Sequence, residues 1–179
     1  MDATKILLLP GLGDSDPGHW QSRWERANHR WRRVVQRDWE RPVYDDWRAA
    51  LETAVAASGP DTVLVAHSLG CLLVNRWAAQ TGLTIRGAML VAPPDPHRPG
   101  FPPQVSGFAE LPLRRLPFAT LVVASGDDPY AAPGFARRCA EAWGGRLVDL
   151  GNAGHINTAS GHGAWPQGRA LLDELLGGP

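Results

Sequence analysis

Lysine is almost absent from this 179-residue chain: Lys5 stands alone beside 17 arginines, and the 18 basic residues are balanced by 18 acidic ones. A formal net charge of zero gives no global field to gather a polyanion, which argues against nucleic acid or an anionic membrane surface as partner. Arginines do gather between Arg23 and Arg41 with Trp24, Trp31 and Trp39 interleaved. Glu25, Asp38 and Glu40 dilute that cluster, so its arginine stems are expected to cover apolar surface rather than to bind nucleic acid. Cysteine is also scarce. Cys71 and Cys139 have no CxxC or histidine-rich spacing around them, so neither a zinc site nor a disulfide framework is expected, and Cys71 reads as a small core residue. No run approaches the roughly 18 consecutive apolar residues of a membrane span, and no basic segment followed by a long apolar stretch stands at the N-terminus. The expectation is a soluble, cytoplasmic protein whose 179 residues make one domain, 1–179.

What the chain does have is a succession of short apolar runs. Residues 5–9, 62–66, 87–92, 120–125 and 146–150 are nearly continuous in apolar character, as suits strands covered on both faces, and a sixth strand is expected near 33–36. Helix-like stretches at 18–29, 45–58, 69–81, 133–143 and 165–176 alternate with them. That alternation predicts a parallel α/β sheet with right-handed crossovers, in which ligands collect beyond the carboxyl ends of the strands. Eight of the sixteen prolines fall within 93–117, which excludes a long helix there; the segment is either a plain connection or a rim over the site, and its exit from a central strand favours the rim.

The run Val63-Leu64-Val65-Ala66 breaks on His67-Ser68-Leu69-Gly70 and resumes as a helical pattern. A serine hydroxyl is a weak nucleophile at neutral pH, and a tight strand-to-helix turn exposes it to a base and to backbone N–H donors. Small residues two before and two after it, here Ala66 and Gly70, let strand and helix approach; the motif is AxSxG, one methyl group away from GxSxG. A serine that merely caps a helix would look similar, so the base and the acid decide. Gly126-Asp127-Asp128-Pro129 follows the strand at 120–125, and Gly151-Asn152-Ala153-Gly154-His155 follows the one at 146–150. The order Ser, Asp, His suits a triad in which Ser68 attacks, His155 moves the proton and an aspartate orients the imidazole. Asp128 is preferred as the acid, with Asp127 as the alternative, and His162 in Gly161-His162-Gly163 competes with His155 as the base.

The two amides needed for a developing oxyanion are expected from Leu69, just after the serine, and from Leu12 in Leu9-Pro10-Gly11-Leu12-Gly13. Gly11-Leu12-Gly13 also begins a dinucleotide-type string, but Asp16 stands at the third glycine position and would repel a pyrophosphate. Asp16-Pro17 reads as the N-cap and first residue of a helix, which brings His19 and Trp20 near the cleft. Trp20 and His67 are candidate substrate-binding residues; for Trp20, packing of the first helix on the sheet is the alternative.

Together these segments resemble a known group, the small lidless serine hydrolases of the α/β-hydrolase superfamily that include the retinoblastoma-binding protein nine-like proteins. The resemblance runs through Leu9-Pro10-Gly11, His19-Trp20-Gln21-Ser22-Arg23-Trp24-Glu25, Asp46-Trp47, Ala66-His67-Ser68-Leu69-Gly70-Cys71, Ser125-Gly126-Asp127-Asp128-Pro129-Tyr130, Gly154-His155-Ile156-Asn157, Ser160-Gly161 and Trp165-Pro166. It implies a compact α/β-hydrolase fold: a three-layer sandwich around a mostly parallel sheet of about six strands, without a large cap domain. It also implies Ser68, Asp128 and His155 as the triad, a small-molecule acyl substrate cleaved as an ester or amide, and no cofactor or metal. Binding to a tumour suppressor through LxCxE is not implied, because Leu69-Gly70-Cys71-Leu72-Leu73 lacks the glutamate.

Overall fold

The computed structural model describes residues 5–177. Its strands are β1 (Lys5–Leu9), β2 (Arg32–Arg33), β3 (Thr62–His67), β4 (Gly87–Val91), β5 (Ala119–Ala124) and β6 (Arg146–Asp149), paired throughout in parallel in the order β2-β1-β3-β4-β5-β6. The helices are α1 (Trp20–Ala27), α2 (Tyr44–Ser58), α3 (Leu69–Ala78), α4 (Phe135–Trp143) and α5 (Pro166–Leu175), with a short 3-10 turn at Thr158–Ser160. Among the described residues the sheet is wholly parallel and carries no large cap, the compact arrangement expected of an α/β hydrolase. Among the described residues no helix is long and apolar enough to cross a membrane.

Because successive residues of a strand point to opposite faces, the continuous apolar runs feed two cores at once. Leu7, Leu9, Leu64, Ala66, Leu90 and Val122 meet α2, α3 and α4 on one face, while Ile6, Leu8, Val63, Val65, Met89 and Val123 meet α1 and α5 on the other. The second core is rich in indoles: Trp20, Trp24, Trp31 and Trp165 interlock through ring contacts of 4.7 to 5.9 Å between centroids. Each such buried aromatic contributes about 1.5–3 kcal/mol of apolar transfer.

Two expectations are corrected. The strand expected near 33–36 is only Arg32–Arg33, pairing with Leu7 and Leu8 of β1, and at this sheet edge no second neighbour exists to extend it. The first helix begins at Trp20, not at Pro17: His19 is its N-cap, and its Nδ1 accepts the Gln21 amide at 3.2 Å. Asp16 instead closes the preceding turn, with Oδ1 accepting the amides of Gly18 at 2.7 Å and His19 at 3.1 Å. An aspartate followed by Pro and Gly satisfies this short turn before a helix can start.

The strand order reverses direction next to β1: the chain moves outward to β2 and then returns to β3 on the other side. The loops leaving the carboxyl ends of β1 and β3 therefore diverge and leave a crevice between them. Ser68 stands at that point.

Candidate active site

Ser68 directly follows β3 and caps α3 with φ 53° and ψ −123°, a conformation that an L-residue adopts only under strain of about 1–3 kcal/mol. The surrounding backbone holds it there. The Ser68 amide donates to the Val91 carbonyl at 3.0 Å, and the Ser68 carbonyl accepts the Cys71 amide at 2.8 Å. Gly70 is required by the close approach of α3 to β1: a Cβ at this position would press into the Leu9 carbonyl oxygen and stand 3.0 Å from that of Pro10. Ala66, the residue that departs from the glycine pattern, is fully buried in the core under α2, α3 and α4, where its methyl group is accommodated. Cys71 lies beneath the serine with its thiol donating weakly toward the Val91 carbonyl at 3.3 Å, and burial pushes its pKa well up.

The three side chains proposed from sequence converge. His155 Nε2 is 2.9 Å from Ser68 Oγ, and its Nδ1 is 3.0 Å from both carboxylate oxygens of Asp128. Asp128 and His155 side chains are only 5 % and 9 % exposed, so their attraction is little screened by water. A carboxylate can only accept, so it fixes Nδ1 as the donor and presents the bare Nε2 to the serine hydroxyl.

The neighbouring aspartate does different work. Asp127 Oδ1 accepts Ser125 Oγ at 2.7 Å and the Gly154 amide at 2.8 Å, and these bonds, the hydroxyl first, hold its pKa below the usual carboxylate range. Ser125 Oγ in turn accepts the Ala153 amide at 3.0 Å. Asp127 thus braces the loop that carries His155 while Asp128 faces the imidazole. The competing base, His162, has its Nδ1 3.1 Å from Ser160 Oγ and takes no part in this chain.

Two further histidines stand beside Ser68 and His155. His67 Nε2 lies 2.8 Å from the His155 carbonyl, which accepts, so this nitrogen carries the proton. Burial first, and then the nearby His155 and His19, push its pKa well down and keep it neutral. His19, placed near the cleft by the sequence but not named there as a site residue, is 4 % exposed, and its ring lies 4.8 Å from that of His67. Burial lowers its pKa to about 4 against the opposing pull of Asp16. The signal available in sequence was its place just ahead of the first apolar helical residue, where an acceptor can cap.

These groups open on a cleft of about 350 Å³, whose lining includes Gly11, Leu12, His19, His67, Ser68, Leu69 and His155. The proline-rich segment forms its rim, contributing Pro94, Arg98, Phe101, Pro102 and Val105. Gly11 passes so close over the serine that an added Cβ would be 2.8 Å from Ser68 Cβ and 3.2 Å from the Leu69 nitrogen. Leu12 and Leu69 both line the cleft, and neither amide donates to another group among the described residues. Trp20 is not at the cleft surface. It is fully buried, with Nε1–H donating to the Ile156 carbonyl at 2.9 Å, so it supports the loop next to His155 rather than touching a ligand. No cluster of His, Cys, Asp and Glu suited to a metal ion occurs among the described residues.

Comparison with known proteins agrees with this architecture. A YdeN-like hydrolase from Pectobacterium atrosepticum is 37% identical, with a TM-score of 0.85 over 96% of this chain and 89% of its own. At the level of fold alone, the ydeN gene product of Bacillus subtilis is 21% identical (TM-score 0.81, 98% of this chain and 100% of that one). A monoacylglycerol lipase from Paleococcus ferrophilus is 16% identical (TM-score 0.72, 96% and 93%). No curated protein matches the chain. The model of the serine hydrolase family matches residues 6–174, nearly the whole chain, and the protein belongs to that family.

Proposed function

We propose that this protein, acting as one domain, cleaves a small carboxylic ester, or an amide, through an acyl-enzyme intermediate. The observation that carries the reading is the continuous hydrogen-bonded chain from Asp128 through His155 to Ser68 Oγ. In the first half-reaction the Ser68 oxygen adds to the substrate carbonyl carbon while His155 Nε2 takes the hydroxyl proton. The carbonyl oxygen becomes negative and receives the amides of Leu12 and Leu69. Collapse of that intermediate breaks the bond to the leaving group, and His155 returns the proton to the departing oxygen or nitrogen. Water then adds to the acyl carbon with His155 again as base, the bond to Ser68 breaks, and the proton passes back to Oγ. Asp128 stays ionised and stabilises the imidazolium that forms in each half.

The chain's own side chains and amides fill every acid, base and oxyanion role in these steps, and water is the co-substrate. His67, neutral and bonded to the His155 carbonyl, holds the base in place without adding a positive charge that would oppose its protonation. The expected outcome for Ser68→Ala is a loss of turnover of about three orders of magnitude or more. Hydrolysis of a graded series of esters and amides, with fluorophosphonate labelling in parallel, checks it. Activity retained in purified Ser68→Ala protein overturns the reading; a wild-type protein that neither labels nor turns over any substrate points instead to a binding protein on a hydrolase scaffold.

A further inference from the structure

The carboxylates near the cleft are already engaged. Asp14 Oδ1 accepts Arg33 Nη1 at 2.6 Å and the Ser15 amide at 2.7 Å. Asp16 takes the Gly18 and His19 amides on one oxygen and Thr158 Oγ1 on the other at 2.8 Å. Asp95, three residues from the rim arginine, accepts the His97 amide at 2.9 Å.

Two donors on the wall, on Arg98 and His19, have no acceptor among the described residues. Arg98 is the one arginine or lysine lining the cleft, is half-buried, and makes no ion pair with any described residue. Its guanidinium lies 5.5 Å from the centroid of the Tyr130 ring, and that ring lies 4.4 Å from His155, so the charge stands within two ring contacts of the base. His19 supplies a second donor. Its Nδ1 accepts from Gln21, which leaves the proton of the neutral ring on Nε2; that atom is buried, on a residue lining the cleft, and has no protein partner. A buried donor without an acceptor costs about 1–3 kcal/mol. An acceptor on the ligand would remove that cost.

We propose that the cleft selects esters or amides that carry a carboxylate on one arm, with the Arg98 guanidinium as the anion-binding group and His19 Nε2–H as an uncharged donor to the same ligand. This rests on Ser68 being the nucleophile. One planar guanidinium matches one planar carboxylate through two parallel N–H···O bonds. A phosphate dianion is disfavoured, since Arg98 is the single arginine lining the cleft among the described residues and balances one negative charge.

The test compares kcat/KM for charged and neutral partners on each arm: monomethyl adipate against methyl hexanoate for the acyl side, and 4-acetoxybutanoate against pentyl acetate for the alcohol side. One charged ester is expected to exceed its neutral partner by about tenfold or more, by an amount that shrinks as salt rises. Arg98→Gln is expected to reduce that ratio by about tenfold, with Arg98→Lys between the two. A neutral preference on both arms, or a ratio unmoved in Arg98→Gln, overturns the proposal. Titration calorimetry of adipate against Ser68→Ala protein separates this outcome from failure of the hydrolase reading. Saturable binding that Arg98→Gln abolishes supports the anion site even where no ester is hydrolysed; absent or Arg98-independent binding overturns it.

Discussion

The two faces of the sheet hold Ser68 and His155 by different means. On the face of α2, α3 and α4 the core mixes aliphatic side chains with Tyr44, Trp47, Trp77, Phe108 and Trp143, and Ser68 is positioned by close backbone approach: Gly70 against the end of β1, and the Ser68 amide bonded to the Val91 carbonyl. On the face of α1 and α5 the core joins aliphatic strand residues to the four interlocked indoles, and the loop of His155 is positioned by polar tips at the edge of that core: Trp20 Nε1–H on the Ile156 carbonyl, Trp24 Nε1–H on the Ala164 carbonyl, and His67 Nε2–H on that of His155. Contact distance fixes the serine absolutely, since a methyl group cannot be admitted. Hydrogen bonds fix the histidine loop directionally and can be removed one at a time.

The largest expected effect breaks the first arrangement. Gly70→Ala introduces a Cβ with no space against two carbonyl oxygens, and a loss of about 3 kcal/mol in unfolding free energy is expected. On a chain of this size that is a fall of about 6–12 °C in Tm, read by thermal denaturation. An unchanged Tm would show that α3 does not depend on this approach.

Acid should reveal the second arrangement. The pKa of His19 falls from 6.5 to about 4 on folding, so between these values the unfolded chain binds more protons and stability rises with pH. The contribution is complete above pH 6.5 and is lost as pH falls toward about 4; at pH 5 the loss from His19 alone is about 2 kcal/mol. His67 acts in the same direction. Denaturant titrations at pH 7 and pH 5 measure the change, and His19→Gln should flatten it. Hydrogen exchange at pH 5 should open the amides around His155 before those of α3.

The smallest effect sharpens the contrast. Trp20→Phe keeps a buried ring but removes the donor to Ile156, for an expected cost of about 1 kcal/mol in stability. A fall of a few-fold in kcat with KM little changed is expected alongside, because only the base loop is loosened. A stability loss without any change in kcat would make the aromatic core a general support rather than a positioning device.

Much of this was legible in the chain. Short apolar runs separated by helical periods specify a two-sided parallel sheet, and the serine, aspartate and histidine fall at strand ends in an order that sheet can bring together. What pattern reading left open was decided by direction and distance. Asp127 and Asp128 are indistinguishable by composition, yet adjacent residues point to different sides of a turn, so one braces the loop and the other meets the imidazole. His67 and His155 are 88 residues apart, and nothing local signals that a side chain of one will cap a carbonyl of the other. Asp16 outweighed His19 as a cap because aspartate has the higher preference; the turn through Pro17 and Gly18 uses its carboxylate before the helix begins. The edge strand was overestimated because sheet length depends on having a neighbour to pair with.

The rim of prolines is fastened away from the chemistry. Val43 bridges to Ser106, and Asn75 Nδ2 on α3 donates to the Pro112 carbonyl at 3.0 Å; only one backbone bond, from the Asp95 amide to the Tyr130 carbonyl, ties it to the loop bearing Asp128. Guest selection and bond cleavage are thereby open to separate redesign: side chains on the outer stretch 98–105 of this rim are the place to admit a new guest, while Phe108 and Leu116 of the same segment stay anchored in the core.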